Sequence, residues 1–205
     1  MSAPAARIEM LDLREADAAD AVLCDAFAAY PVMRYTLGAA AGDAAALRRL
    51  IGLFTAGRWM RGHPVLGARE ASGRLVGVVT MTPPGEFATP HALTALTEST
   101  WSALGEAARR RYEAIKSAWN ATALPGARWH INMLGVLGSH RAQGYGELLL
   151  QAARGFAAAG PQPHGIDLTT EDETNLAFYR RRGFAVAAHA RVDERLETWT
   201  LVSET

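Results

Sequence analysis

One stretch of this 205-residue chain gathers the residue types that hold an anion. It reads Trp129-His130-Ile131-Asn132-Met133-Leu134-Gly135-Val136-Leu137-Gly138-Ser139-His140-Arg141-Ala142-Gln143-Gly144-Tyr145-Gly146. An apolar run of strand type enters a loop holding Gly138, Gly144 and Gly146, and the loop enters a helix. A helix start offers unpaired backbone N–H groups and the positive end of a dipole. Glycine lets the backbone close around an anion because no Cβ blocks the approach. Arg141 adds a full positive charge beside those amides. A pyrophosphate is the natural guest.

Two familiar pyrophosphate loops do not fit. A dinucleotide fingerprint needs G-x-G-x-x-G after a strand, and here Gly144-Tyr145-Gly146 is followed by Glu147, Leu148 and Leu149. A Walker loop needs Gly-Lys-Ser/Thr, which is absent from this stretch. What remains is Arg141-x-x-Gly144-x-Gly146. This pattern resembles the acyl-CoA loop of the GNAT superfamily of N-acetyltransferases, and Leu134-Gly135-Val136 is similar to that superfamily's central strand. Further on, Leu168-Thr169-Thr170, then Asn175-Leu176-Ala177-Phe178-Tyr179, then Arg182-Gly183-Phe184 resemble its later strand–helix–strand unit. Asn175 and Tyr179 are four apart on a helix, so amide and phenol share a face. The combined match covers roughly residues 129 to 186. The sequence departs from the family pattern at Gly138, where proline is usual, and at Ala142, where glycine is frequent. Neither removes a backbone N–H, and Gly138 supplies one that proline lacks.

The resemblance implies an acyl-CoA N-acyltransferase fold, acetyl-CoA as co-substrate, and acetyl transfer to a primary amine by direct attack in a ternary complex. It implies CoA contacts from Leu134, Gly135, Val136, Arg141, Ala142, Gln143, Gly144, Tyr145, Gly146, Asn175 and Tyr179. It places Tyr179 beside the sulfur, where its hydroxyl would serve the leaving thiolate; the ordinary alternative is a core tyrosine with a satisfied hydroxyl. At pH 7 only about four in ten thousand amines of pKa ~10.4 are unprotonated, so a base near the working pH helps most. His130 is the candidate, since a histidine titrates near ~6.5 and some family members carry Glu or His there; the alternative is a cleft residue without a chemical role. Alternation would put His130, Asn132 and Leu134 on one face of the strand and Trp129, Ile131 and Met133 on the other. An N–H near Leu134 to Val136 would stabilise the acyl oxygen, beside a family bulge with which Gly135 is compatible. The acceptor would lie against the first two helices and the connection before the central strand, with Tyr30 and Asn132 as binding residues. Phe27, Tyr30, Pro31, Met33 and Tyr35 read as an aromatic loop, and Trp101, Tyr112 and Trp119 as a second aromatic face. Both aromatic sets have core packing as the ordinary alternative to a binding wall. The longer connection resembles the branch that includes puromycin N-acetyltransferase, which points to a small amine, with protein N-terminal or lysine acetylation as the alternative. A non-catalytic acyl-CoA sensor or complex subunit is the competing expectation.

The elements that must position these groups can be read in outline. Residues 7 to 13 read as a first strand and Asp17 to Tyr30 as a helix stopped by Pro31. Asp43 can cap a helix with Leu47, Leu50, Ile51 and Phe54 on one face. Val65 to Arg69 and Arg74 to Met81 form a hairpin signal around Ala71-Ser72-Gly73. Trp101, Leu104, Ala108, Tyr112, Ile115 and Trp119 recur at helical spacing and predict one amphipathic helix that ends before Leu124-Pro125-Gly126. Then come a strand over Trp129 to Val136, a helix over Gly144 to Ala159 closed by Gly160-Pro161, and a strand over Ile166 to Thr169. A helix over Thr174 to Arg182 stops at Gly183, and strands over Phe184 to Ala188 and Arg195 to Val202 finish the chain. The pattern predicts an α/β (α+β) domain spanning residues 1–205: a mixed, mostly antiparallel central sheet flanked by helices, with a helical insertion at about 82–127.

Composition bounds the rest. Lys+Arg and Asp+Glu both number 21, and a nucleic-acid binder needs a basic excess, so none is expected. Arg109 to Arg111 and Arg180 to Arg182 read as solvated helix faces. Cys24 is the one cysteine, so no internal disulfide is expected, and Cys24 itself reads as a buried small residue. His63, His91, His164 and His189 lack metal-ligand spacing, and no metal is expected; His140 reads as a surface residue. Neither a signal peptide in Met1 to Arg7 nor a membrane-length apolar run is apparent. A cytoplasmic protein is expected, with a homodimer left open by the resemblance.

Overall fold

Seven strands pair into one mixed sheet in the computed structural model of the chain, which describes residues 6–159 and 165–203. Gly160, Pro161 and His164 lie outside the described residues, as does most of the Met1 to Arg7 segment. The strands are β1 (Arg7–Met10), β2 (Val65–Arg69), β3 (Leu75–Thr82), β4 (Trp129–Val136), β5 (Ile166–Thr170), β6 (Ala185–Asp193) and β7 (Leu196–Ser203), in the order β1-β2-β3-β4-β5-β7-β6. Every neighbouring pair is antiparallel except β4 and β5. The helices are α1 (Ala16–Phe27), α2 (Pro31–Leu37), α3 (Ala44–Trp59), α4 (His91–Leu104), α5 (Glu106–Ala121), α6 (Tyr145–Ala158) and α7 (Thr174–Arg180).

The core has two large halves, one on each face of the sheet, and a small third cluster of Val32, Ile115 and Leu196. Leu23, Leu50, Ile51, Val78 and Met133 pack together under α1 and α3. Val79, Met81, Ile131, Leu149, Leu168 and Leu201 pack under α6. Such double coverage explains the run Leu75-Val76-Gly77-Val78-Val79, which is buried on both faces.

Local chemistry sets several boundaries differently from the sequence expectation. The first strand ends at Met10 because Asp12 builds a capping box: its Oδ1 accepts from the Arg14 N–H at 2.8 Å, while Glu15 Oε2 accepts from the Asp12 N–H at 3.2 Å. Pro31 starts α2 rather than ending the chain's helical run, since a first helical position needs no N–H. The expected aromatic loop is therefore mostly helix. The single helix expected across Trp101 to Trp119 is two, because Gly105 adopts φ 88° between α4 and α5. Asp43 does cap α3, accepting from the Ala45 N–H at 2.8 Å.

The central strand carries an irregularity that the alternation argument missed. Thr80 pairs with Met133 and Met81 with Ile131, which leaves Asn132 as the extra residue of a bulge. Side chains before and after it switch faces. Trp129 and Ile131 pack on the α6 side, Met133 packs on the α1 side, and Leu134 returns to the α6 side. His130, Asn132 and Leu134 consequently do not share one face. The bulge lies at Asn132, upstream of Gly135, and Gly135 serves a different purpose: a Cβ there would stand 2.8 Å from the Ala26 Cβ of α1. Gly135→Ala is expected to push α1 off the sheet and cost about 1–3 kcal/mol by overpacking. Urea unfolding measures this; a variant as stable as the parent would show that α1 has room to shift.

Candidate functional site

The parallel ladder between β4 and β5 stops early. Trp129 pairs with Ile166, His130 with Asp167 and Ile131 with Leu168, and there the pairing ends although both strands continue. The Leu137 N–H donates to Val76 O at 2.9 Å, toward β3. Alternation then turns the N–H groups of Leu134 and Val136 away from β3 into the split. Below the split, the N–H groups of Ala142, Gln143, Gly144, Tyr145 and Gly146 find no acceptor among the described residues. Ala142 holds φ 60° and Gly144 φ 93°, which curls the loop so that successive amides face one side. These amides line a groove of about 680 Å³ that also takes in Leu134, Val136 and Tyr179. A run of free donors leading from a loop to an open strand edge suits a diphosphate followed by an amide-bearing arm, as coenzyme A presents.

Arg141 stands beside this groove with one nitrogen, Nη2, donating to Ala26 O at the end of α1 at 3.0 Å. Arg182 also lines it, pairing with Glu147 at 2.7 Å and covering the Phe178 ring at 3.8 Å. That residue is not a freely solvated helix-face arginine as expected. His140, expected at the surface, is tucked in: its side chain is 13% exposed, with Nε2 3.1 Å from Glu70 Oε2. Cys24 is half-buried against the α1–α3 core.

A second cavity, about 420 Å³, lies across the split and meets the groove at Leu134, Asn175 and Tyr179. Tyr179 sits at the junction. Its hydroxyl makes no hydrogen bond to a described residue, and burial, aided by the nearby Glu171 charge, pushes its pKa up to about 12. Asn175 Nδ2 donates to Thr170 Oγ1 at 3.2 Å, tying α7 to the end of β5. His130 points its Nδ1 at Asp167 Oδ1, 2.6 Å away across the last part of the parallel ladder. A carboxylate there selects the Nδ1–H tautomer and leaves Nε2 as an acceptor. Asn132, exposed by its bulge, accepts from Thr82 Oγ1 at 2.8 Å and from Arg58 Nη1 at 3.1 Å.

Tyr30 is brought in by a network the sequence did not reveal. Its hydroxyl donates to Glu171 Oε2 at 3.0 Å and accepts from the Glu171 N–H at 3.0 Å. Glu171 Oε1 accepts from Trp119 Nε1 at 2.8 Å and Thr198 Oγ1 at 2.7 Å. Burial raises the Glu171 carboxyl above the usual carboxylate range, against the three side-chain donors that favour its charge. All the catalytic, coenzyme and acceptor residues implied by the resemblance line one or other cavity, except Gly135, which packs under α1; Pro31, Tyr35 and Trp101 of the two aromatic sets line neither. Sequence reading passed over Arg58, Asp167 and Glu171. Asp167 gave a signal, since it is a carboxylate between two apolar strand residues, Ile166 and Leu168. Among the described residues no group of three His, Cys, Asp or Glu side chains is arranged to hold a metal ion.

Comparison with known proteins decides the family. The family model described as "Acetyltransferase (GNAT) domain" matches residues 62–186. This chain belongs to the GNAT family of acetyltransferases. As a GNAT domain it is an acetyl-CoA-dependent acyltransferase. Solved structures share its fold at low identity. A protein described as histone acetyltransferase HPA2 and related acetyltransferase, from Corynebacterium glutamicum, is similar at TM-score 0.68 and 19% identity, over 98% of this chain and 97% of that one. Arylalkylamine N-acetyltransferase 2 from Aedes aegypti gives 0.70 and 13%, over 97% of each chain. Arabidopsis thaliana Naa50, solved with the bisubstrate analogue CoA-Ac-MVNAL, gives 0.56 and 13%, over 98% and 99%. No curated protein matches the sequence. In this GNAT chain, among the described residues, no helix is long and apolar enough to cross a membrane.

The raised Glu171 carboxyl has a consequence for stability. The native chain keeps a proton that the unfolded chain releases, so stability falls as pH rises from the unfolded pKa through the folded one. Glu171→Gln removes that term. In urea titrations between about pH 4 and pH 8, the variant is expected to gain on the parent as pH rises. Parallel pH dependences would show that Glu171 titrates alike in both states.

Proposed function

We propose that this GNAT chain acetylates the primary amine of a small molecule held in the 420 Å³ cavity, by direct attack within a ternary complex. One domain would supply both halves of the site, with α5 and the following turn walling the acceptor side. The reading is carried by one observation: the acceptor cavity opens onto the coenzyme groove at Tyr179, with the His130–Asp167 pair in its wall. A cavity of this volume lies in the range of small-ligand sites. The related folds named above span an arylalkylamine enzyme and one solved with a bisubstrate analogue, so fold alone leaves the acceptor open and the cavity is what favours a small one.

Bound acetyl-CoA supplies an activated acyl carbon and a thiolate leaving group. The free amides from Ala142 to Gly146 hold its diphosphate, with Arg141 beside them. The inward N–H groups of Leu134 and Val136 bind the arm, and one of them meets the charge that develops on the acyl oxygen. His130 takes the amine proton on Nε2, while its Nδ1–H keeps donating to the Asp167 carboxylate, which orients the ring and stabilises the imidazolium. Tyr179, protonated at neutral pH and with its pKa raised by burial to about 12, passes its proton to the departing sulfur. Asn132 and Tyr30 border the acceptor.

A thiol-release assay over a panel of small amines and N-terminal peptides tests the reading. Small amines are expected to exceed peptides in kcat/KM; faster turnover of peptides would overturn the small-molecule assignment. Tyr179→Phe is expected to lower kcat about 100-fold with a much smaller change in the Kd of acetyl-CoA. His130→Gln should lose about as much in kcat/KM at neutral pH, and Asp167→Asn less. Parental turnover in Tyr179→Phe would remove that hydroxyl from the mechanism.

A further inference from the structure

Among the described residues Arg58 is the one arginine lining the acceptor cavity. It projects from the last turn of α3. Its Nη1 donates to Asn132 Oδ1 at 3.1 Å and to Thr82 Oγ1, both neutral acceptors. Its Nε is buried without a partner, and no carboxylate among the described residues comes within ion-pair distance of it. A guanidinium carries five donors in a fork that matches a carboxylate. Burial, together with the neighbouring Arg61 charge, lowers its pKa to about 10, as befits a cation kept from water and from counter-charge. The same cavity is lined by Asp167 and Glu171 with His130. The rings of Phe27, Phe54 and Tyr112 line it as well.

We propose that the acceptor carries a carboxylate next to its amine, and that Arg58 binds that carboxylate: the substrate class is an amino acid, or a close analogue, with an apolar ring-sized side chain. This rests on the transfer reading above and narrows its acceptor. Asn132, which accepts from the guanidinium, and His130 are both on β4, and both line the cavity. An amine and a carboxylate on one carbon would turn one group toward the imidazole and the other toward the guanidinium. The Asp167 and Glu171 end receives the ammonium before His130 removes its proton, and the aromatic walls take the side chain.

Calorimetry on the full chain saturated with CoA, with L-phenylalanine and phenethylamine as probes, separates the charge from the ring. Phenylalanine is expected to bind at least about tenfold more tightly. Arg58→Gln is expected to weaken phenylalanine by the factor that separates the two probes in the parent, about tenfold or more, and so abolish the preference, and Arg58→Lys to keep part of it. Phenethylamine binding as tightly as phenylalanine in the parent protein, which needs no variant to fold, overturns the proposal. So does failure of phenylalanine to bind at millimolar concentration, or equal weakening of both probes in Arg58→Gln, which would mark Arg58 as a tie between α3 and the bulge. Thiol release with the same pair is read separately: selective binding of phenylalanine with no release from either probe supports the carboxylate site and counts against the transfer reading.

Discussion

The parting of β4 from β5 after Ile131 governs the whole site. Two parallel strands that stayed in register would satisfy each other's backbone and leave nothing to bind. Here the ladder stops at Ile131 and Leu168, and the polar groups of Leu134 and Val136 turn toward a gap. Unpaired backbone groups are costly when buried, so the gap needs something to hold it open. Tyr30, Glu171, Trp119 and Thr198 do this from one side, joining the start of α2, the end of β5, α5 and β7 through four hydrogen bonds of 2.7–3.0 Å. Tyr179 and Asn175 stand at the other side, on α7. The gap is thus a stable part of the fold, available to a ligand that brings its own amides.

Charge is distributed along the gap in an order that the chemistry needs. The coenzyme side has free N–H groups and Arg141, which suit phosphate. The junction has Tyr179, a neutral phenol whose pKa burial raises to about 12. The acceptor side has carboxylates and an imidazole at one end. Placing these charges away from water is expensive unless each is hydrogen-bonded. Glu171 meets that demand with three side-chain donors, and Asp167 meets it with the His130 ring. His63, also buried, meets it differently: burial and nearby arginines lower its pKa to about 4, and it packs uncharged against the Phe87 ring.

How much of this was legible depended on how local the determinant is. The strand Trp129–Val136 was bounded correctly from sequence, and α6 to within one residue, because an apolar run and a left-handed glycine act on their own neighbours. The single helix expected across Trp101 to Trp119 failed at Gly105: its apolar spacing runs on through both helices, and only the backbone of that glycine reports the break. The bulge at Asn132 was invisible because it is a property of the pairing with β3, and it reversed the assignment of faces beyond it. Arg58 meets Asn132 across 74 residues, His130 meets Asp167 across 37, and Tyr30 meets Glu171 across 141. No spacing rule reaches over such separations.

The same contrast separates the two halves of the site by origin. The groove half draws its free backbone amides from one short segment, residues 134–146, whose shape follows from local conformation, with side chains of α7 beside it. Main-chain donors of this kind are left in place by many side-chain changes. The acceptor half is built from side chains on α1, α2, α3, α5, β4 and β5, brought together only when the helices pack. A change in the length or tilt of α5 would move Trp119 and Tyr112 without touching the loop from Ala142 to Gly146. Chemistry and selectivity can therefore vary independently in this architecture. That independence explains why a short glycine-containing pattern betrays the reaction, whereas the second cavity depends on side chains that no local pattern brings together.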